Sequence, residues 1–263
     1  MNGKLKNPPP AIWYGGDWNP DQWPDDILEA DLRLFAEARI NTVALPVFSW
    51  AKLQPAPERW DFAWLDRIMD RLAEAGLGVI LATSTAAQPA WMCRLHPEMM
   101  PVDVDGRRRN HGKRVNFCPS SPVYRRYAAE LARRMAERYG RHPGLRLWHI
   151  ANEYGTHCFC ETCAAAFRLW LRERYGTVEE LNRRWNLAFW GHTVYDWDEV
   201  NAPSELNDDN KWYQPKMLDY LRFQTDASLG CYLAEYAVLK AATPDIPVTT
   251  NISGLIKSLD QHR

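Results

Sequence analysis

The chain has 263 residues, with 32 Lys and Arg against 33 Asp and Glu, a formal charge of −1. That balance leaves no basic surplus for a nucleic acid or an anionic membrane surface. Hydrophobic residues make up 46% and charged residues 25%, which excludes disorder and collagen and suits one large globular domain or two small ones.

The longest apolar stretches, such as 76–82, fall far short of the ~20 residues of a membrane span. The opening MNGKLKNPPPAIWYGG has no apolar signal core, so a cytoplasmic location is expected. Six cysteines are too few for a disulfide scaffold of this size, and three of them crowd into Cys158, Cys160 and Cys163, which suggests metal rather than bridges. The thirteen tryptophans offer flat faces of the kind that suit sugar rings, although packing is the default for any single one.

Residues 1–11 are read as an N-terminal extension. The apolar run 12–16, closed by Gly-Gly-Asp and then Asn-Pro, predicts a strand that ends in a loop. A helix follows, with Asp25 and Asp26 in its opening turn and Leu28, Leu32 and Phe35 spaced to bury one face. TVALPVF at 42–48 predicts a second strand, apolar throughout as in a parallel sheet covered on both faces, with Pro46 weakening its end. A helix over 62–75 and a strand at 78–83 repeat the rhythm. Residues 84–122 read as a long loop, and loops of that length inside a domain are usually functional. A helix over 122–139 leads to a strand at 145–151, which ends in Asn152-Glu153-Tyr154-Gly155. The excursion 156–215 holds helices near 163–175 and 178–185. A last strong helix covers 215–242, and PVTTNI at 247–252 predicts a fifth strand.

Alternating strands and helices fit a doubly wound sheet or part of a (β/α)8 TIM barrel. The loop GGDWNP after the first strand lacks the glycine patterns of a nucleotide-binding sheet. Polar and aromatic chemistry stands instead at successive strand ends: Asp17 and Trp18, Ser49 and Trp50, Ser84 and Thr85, Asn152 and Glu153. Barrel enzymes place their sites there. The fold class expected is therefore α/β, a (β/α)8 TIM barrel present as roughly its first five βα units. It would span 12–263, with a zinc-bearing insert at 156–215.

Asn152-Glu153 after a buried strand is the sharpest catalytic signal. A carboxyl between Trp148, Tyr154 and an apolar strand loses hydration, which suits a general acid, and the Asn amide can hold a sugar hydroxyl. A strand-end Glu that caps a helix or meets an Arg is the plainer alternative. Cys158, Cys160 and Cys163 form a CxCxxC cluster, with Cys118 upstream. Four thiolates can close a tetrahedral, structural zinc site; reduced, unligated thiols are the alternative. Cys93 and Cys231 read as ordinary buried thiols.

The segments YGGDWNPDQWP, FSWAKLQP, NFCPSSPVYRR, WHIANEYG, RERYGTVEELNRRWNLAFW and VTTNISG, taken in order, resemble the N-terminal barrel of the glycoside hydrolase family 42 β-galactosidases. The resemblance implies that Glu153 is the acid/base of a retaining mechanism and that Asn152 binds the galactoside. It implies that Arg114, four residues before Cys118, contacts substrate and that Trp190 walls the galactose subsite. In zinc-containing members the ligands lie on the segments of Cys118, Cys158, Cys160 and Cys163. A trimer is the assembly implied for a full-length parent.

The family nucleophile is a Glu at the end of the seventh strand, whereas the predicted strands here stop at the fifth. Glu173, Glu179, Glu180, Asp196 and Glu205 lie in the excursion after the fourth. The chain is therefore expected to be the N-terminal part of a larger enzyme. The first functional reading is hydrolysis of terminal β-D-galactosides, with a β-galactoside as partner and structural zinc as cofactor. The second is an inactive fragment that binds zinc and sugar and needs a complementing polypeptide. A redox or zinc-sensing module is a third, with nothing else in the sequence to supply an output.

Overall fold

A computed structural model describes residues 12–206, 213–253 and 259–260; the expected extension at 1–11 lies outside them. Four strands, β1 (Thr42–Leu45), β2 (Gly78–Ala82), β3 (Leu145–His149) and β4 (Val248–Thr249), form one parallel sheet in the order β1-β2-β3-β4. The segment expected as a strand at 12–16 runs beside β1 without becoming a regular strand. The Tyr14 and Gly16 carbonyls accept from the Asn41 and Ala44 N–H groups at 2.9 and 3.0 Å, and Asp17 bridges Ala44 in parallel. Gly15 makes this approach feasible, because a Cβ there would stand 1.7 Å from the Thr42 carbonyl oxygen. Each parallel segment thus neighbours its predecessor, with no reversal of order. That is the succession of barrel staves rather than of a doubly wound sheet.

The helices are α1 (Ile27–Glu37), α2 (Trp50–Leu53), α3 (Ala63–Glu74), α4 (Ala90–Leu95), α5 (Pro122–Tyr139), α6 (Glu161–Tyr175), α7 (Val178–Trp185) and α8 (Gln214–Ala242). The long ones match the sequence expectation within about two residues, for visible reasons. Pro122 opens α5, where its missing N–H costs nothing, and the Ser121 side chain accepts from the Tyr124 N–H at 3.3 Å. Thr177 caps α7 in the same way, and Asn186 ends it in the left-handed conformation. The short α4 lies within the stretch read as a long loop, and α2 in one to which no element was assigned. The face of α1 carrying Leu28, Leu32 and Phe35 packs on the core but is only half-buried.

Strands are shorter than the sequence suggested. β1 ends before Pro46, which has no N–H for the ladder. β3 ends at His149 because Ala151 adopts a left-handed φ of 48°. β4 pairs only with β3 among the described residues, and its regular part shrinks to two residues.

Two hydrophobic cores result. In the first, Leu45, Val79 and Leu81 of the sheet meet Leu65, Met69 and Leu72 of α3 and Leu131 and Met135 of α5, around fully buried Trp50 and Trp148. In the second, Phe167 and Leu171 of α6, Leu181 and Trp185 of α7, and Tyr220 and Phe223 of α8 surround Cys118, Cys158, Cys160 and Cys163. Each such apolar side chain removed from water contributes about 2 kcal/mol before conformational entropy is subtracted. The long α8 joins the cores, since its remaining length packs along α5. Among the described residues, no helix is long and apolar enough to cross a membrane.

Candidate active site

The turn that leaves β3 is strained. Ala151 and Glu153 have φ of 48° and 44°, a conformation that costs a non-glycine residue about 1–3 kcal/mol. Side chains from both neighbouring strand ends hold it there. The Ala151 N–H donates to Thr83 Oγ1 at 3.0 Å, beyond β2, and the Glu153 N–H donates to Asn251 Oδ1 at 3.1 Å, beyond β4. His149 Nε2 lies 3.2 Å from the same Asn251 oxygen.

The facing loop is strained too. Val115, β-branched, has φ of 48°; its N–H donates to the Ala86 carbonyl at 2.6 Å and its own carbonyl accepts from Thr156 Oγ1. Of seven non-glycine residues with positive φ among those described, four (Ser84, Val115, Ala151 and Glu153) belong to these strand ends and this loop. Strain so concentrated persists only where surrounding contacts over-determine it, as at functional sites.

These two loops bring Arg114 and Glu153 together. Arg114 Nη2 stands 2.8 Å from Glu153 Oε2, and the guanidinium also lies over the Phe48 ring at 5.8 Å. The Arg114 side chain is 58% exposed and that of Glu153 23% exposed, so the pair sits at a surface open to a ligand. The apolar enclosure expected for Glu153 is not what forms. Trp148 is wholly within the first core, and Tyr154 packs on Phe117, so Arg114 rather than a hydrophobic wall faces the carboxyl.

Asn152, between the two strained residues, is 3% exposed and its Nδ2 has no hydrogen-bond partner. Asn116 Oδ1, Gln88 Oε1 and His149 Nδ1 are likewise buried and unpaired. Buried polar atoms are nearly always satisfied; the Asn152 amide, adjacent in sequence to the Glu153 of an open ion pair, is a group that a polyhydroxylated ligand would complete.

The other strand-end residues divide differently from the sequence expectation. Ser49, Trp50, Ser84 and Thr85 are buried, and the Trp50 indole donates to Gln54 Oε1 at 2.9 Å. Trp18 is core as well, bonded to Asp31 at 2.8 Å. Trp190 lies in the helical turn Phe189–Gly191 with φ of 51°, stacked on Phe189 at 4.5 Å and 64% exposed. Its observed stacking partner is thus Phe189, not the Arg114–Glu153 pair.

The structure does gather the four predicted cysteines. Their sulfurs lie within 4.8 Å of one another, with Cys118 Sγ 3.3 Å from Cys163 and 3.6 Å from Cys160. Thiolates on a tetrahedral zinc at ~2.3 Å stand about 3.8 Å apart, so the donor set fits that ion. The Val102 N–H points at Cys158 Sγ from 3.4 Å, while Tyr220 and Gln224 of α8 bond the Cys158 carbonyl at 2.7 and 3.2 Å. Crowding drives the thiols apart in acidity: hydrogen bonds among them push Cys118 up and Cys160 down. A cation relieves such crowding by letting all four ionise.

Comparison with known proteins gives the family. The sequence model of glycoside hydrolase family 42, described as beta-galactosidase, matches residues 17–263. The chain belongs to glycoside hydrolase family 42. Beta-galactosidase BgaP of Planococcus sp. (strain L4) is 48% identical over 265 residues, which are 99% of this chain and 39% of that protein. The crystal structure of a beta-galactosidase from Bacillus circulans sp. alkalophilus superposes with a TM-score of 0.92 at 50% identity, covering 95% of this chain and 38% of that one. A beta-galactosidase from the haloarchaeon Halorubrum lacusprofundi gives 0.88 at 33% identity, covering 93% and 37%. The chain thus spans about 39% of the length of the first curated relatives it matches. The TIM-barrel reading of the βα succession is borne out by these neighbours.

One residue of this family 42 chain escaped the motif reading. Glu235, in the middle of α8, is 0% exposed, and Thr85 Oγ1 lies 2.9 and 3.1 Å from its two oxygens. Burial pushes its carboxyl up to about 7. A signal was present: Gln224, Ser228, Cys231, Glu235 and Leu239 recur at helical spacing on the buried face of α8, and a charge on such a stripe demands a reason.

Proposed function

We propose that Glu153 is the acid/base carboxyl of a retaining glycosidase acting on terminal, non-reducing β-D-galactosides. The observation that carries this reading is the open Arg114–Glu153 pair, 2.8 Å apart, beside the buried and unpaired amide of Asn152. Glu153 would protonate the glycosidic oxygen as the bond to the aglycone breaks, then take a proton from the water that releases the sugar. Arg114 and Asn152 would fix sugar hydroxyls, orienting the anomeric carbon. Trp190 offers an exposed, flat face for the galactose ring. The names of the relatives support the substrate class.

Zinc in this reading is structural. Cys118, Cys158, Cys160 and Cys163 would fill its coordination, leaving no position for water. These four, with Cys93 and Cys231, are all free thiols, which suits a reducing, cytoplasmic setting.

Retention needs a second carboxylate about 5–5.5 Å from the first. Two carboxylates of the excursion are engaged elsewhere: Glu180 pairs with Arg183 and Arg184, and Asp196 caps the turn Trp197–Glu199. That supports a second reading, in which these residues bind sugar and zinc and turn over only with a complementing polypeptide. Assay of the chain on 4-nitrophenyl β-D-galactoside separates the two. Nitrophenol release that vanishes in Glu153→Gln supports the first reading, saturable galactoside binding without turnover supports the second, and neither binding nor turnover by folded protein overturns both.

A further inference from the structure

Glu235 is a fully buried carboxyl that the proposed chemistry does not use. The groups around it come from four elements. Thr83 and Thr85 face it from the end of β2, Tyr154 from the turn after β3, Tyr124 from α5, and Cys231 from one turn earlier on α8. Among the described residues none of its observed partners is Lys, Arg or His. A carboxyl in that position is expensive, and its hydrogen bonds run in one direction, toward the strained turn. Thr85 Oγ1 meets both carboxyl oxygens, Thr83 Oγ1 lies 3.1 Å from Thr85 Oγ1, and Thr83 Oγ1 receives the Ala151 N–H at 3.0 Å. Tyr154, next to Glu153 in sequence, lies near enough to feel the charge of the same carboxyl, while its buried hydroxyl has no hydrogen-bond partner.

We infer that Glu235 is a positioning residue, which through Thr85 and Thr83 fixes the left-handed backbone of the turn carrying Asn152 and Glu153. The inference deepens the reading of Glu153 as acid/base and rests on it for its functional meaning. The chain of hydroxyls is polarised by the carboxylate at its end: Thr85 donates to Glu235, Thr83 donates to Thr85, and the lone pairs of Thr83 are left for Ala151. The ionised carboxylate accepts from Thr85 through both of its oxygens. Once protonated it must donate through one oxygen, and the contact that holds Thr85, and through it Thr83, loosens. Burial puts that change near neutral pH. The turn therefore relaxes as pH falls through about 7, although Glu235 reaches Ala151 only through Thr85 and Thr83.

The test is an NMR titration of the full chain, following the backbone amides of Ala151 and Glu153 from pH 5.5 to 8.5, in the wild type, Glu235→Gln and Thr83→Val. In the wild type both amides follow one transition near neutrality, and in Glu235→Gln that transition disappears. In Thr83→Val the Tyr154 ring still reports it, while the Ala151 amide falls silent and exchanges with solvent at least tenfold faster. Amides that ignore pH in the wild type, or that keep the transition in Glu235→Gln, overturn the relay. Affinity for methyl β-D-galactoside, read on the same samples, is a separate outcome. An intact relay with no galactoside binding removes the functional reading of Glu153 and leaves the positioning of the turn standing.

Discussion

The two chemical clusters built on the ends of residues 152–163 hold their atoms in place by opposite means. Around the cysteines local rules are obeyed: helices α6, α7 and α8 bury Phe167, Trp185 and Tyr220, and the sulfurs complete a dry core. Around Glu153 they are broken, with left-handed φ at Ala151, Glu153 and Val115 and buried polar atoms without partners. The contrast teaches where each kind of work is done. The chemistry proposed for Glu153 needs groups held in unfavourable states, so stability must be supplied next door, and the metal-ready core begins only five residues beyond the carboxyl. Val102 links the two, since it belongs to the loop segment preceding Arg114 and its N–H meets Cys158.

The largest expected effect breaks the supporting side. Chelation of the metal, or Cys163→Ser, should cost on the order of 5 kcal/mol or more, below the ~10–16 kcal/mol of zinc peptides because the surrounding helices also bury apolar area. Calorimetric melting together with metal content checks this, with one zinc per chain expected before chelation. Cys93→Ser, outside the cluster, should leave metal content unchanged. Next, Phe167→Ala should destabilise by about 3–5 kcal/mol through the cavity it leaves in the second core. Chemical denaturation should register that loss in the second core whether or not metal is present.

The third effect separates the sides by pH. Glu235 is raised from 4.5 to about 7 by burial, so between those values the folded chain holds a proton that the unfolded chain has released. Stability therefore falls as pH rises through this window, and above it the whole penalty, about 3 kcal/mol, stands. Glu235→Gln removes that charge. It should exceed the wild type in stability by up to about 3 kcal/mol at pH 8, with the gap closing toward pH 4.5; urea melts at the two ends of the range measure it. Chelated protein should keep this pH dependence, because the four clustered cysteines are not among the groups that face Glu235. The smallest effect is Ala151→Gly, which should stabilise by about 1 kcal/mol by relieving the left-handed φ. The same change at Ala164, inside α6, should cost about that much, and thermal melts of the two variants give the comparison.

What the sequence revealed follows the same division. Asn152-Glu153 and the CxCxxC cluster are local patterns, visible because their residues stand next to one another or a few positions apart. Long helices such as α5 and α7 were readable because their caps and buried faces are also local. The partners that hold the site were not. Asn251 reaches Glu153 across 98 positions and Glu235 reaches Thr85 across 150, and no periodicity encodes such meetings. The enclosure of Glu153 was misread for the same reason: Trp148 is only five residues away in sequence, but β3 turns it into the core, and Arg114 arrives from another loop.

Ligand binding at the orphaned amide is the most direct measurement. Titration of the folded chain with methyl β-D-galactoside should saturate, the matching β-glucoside should bind more weakly, and Asn152→Ala should lose about tenfold in affinity, the worth of one good hydrogen bond. Equal affinity in the wild type and Asn152→Ala, at unchanged stability, would contradict the assignment of this strand end to sugar recognition.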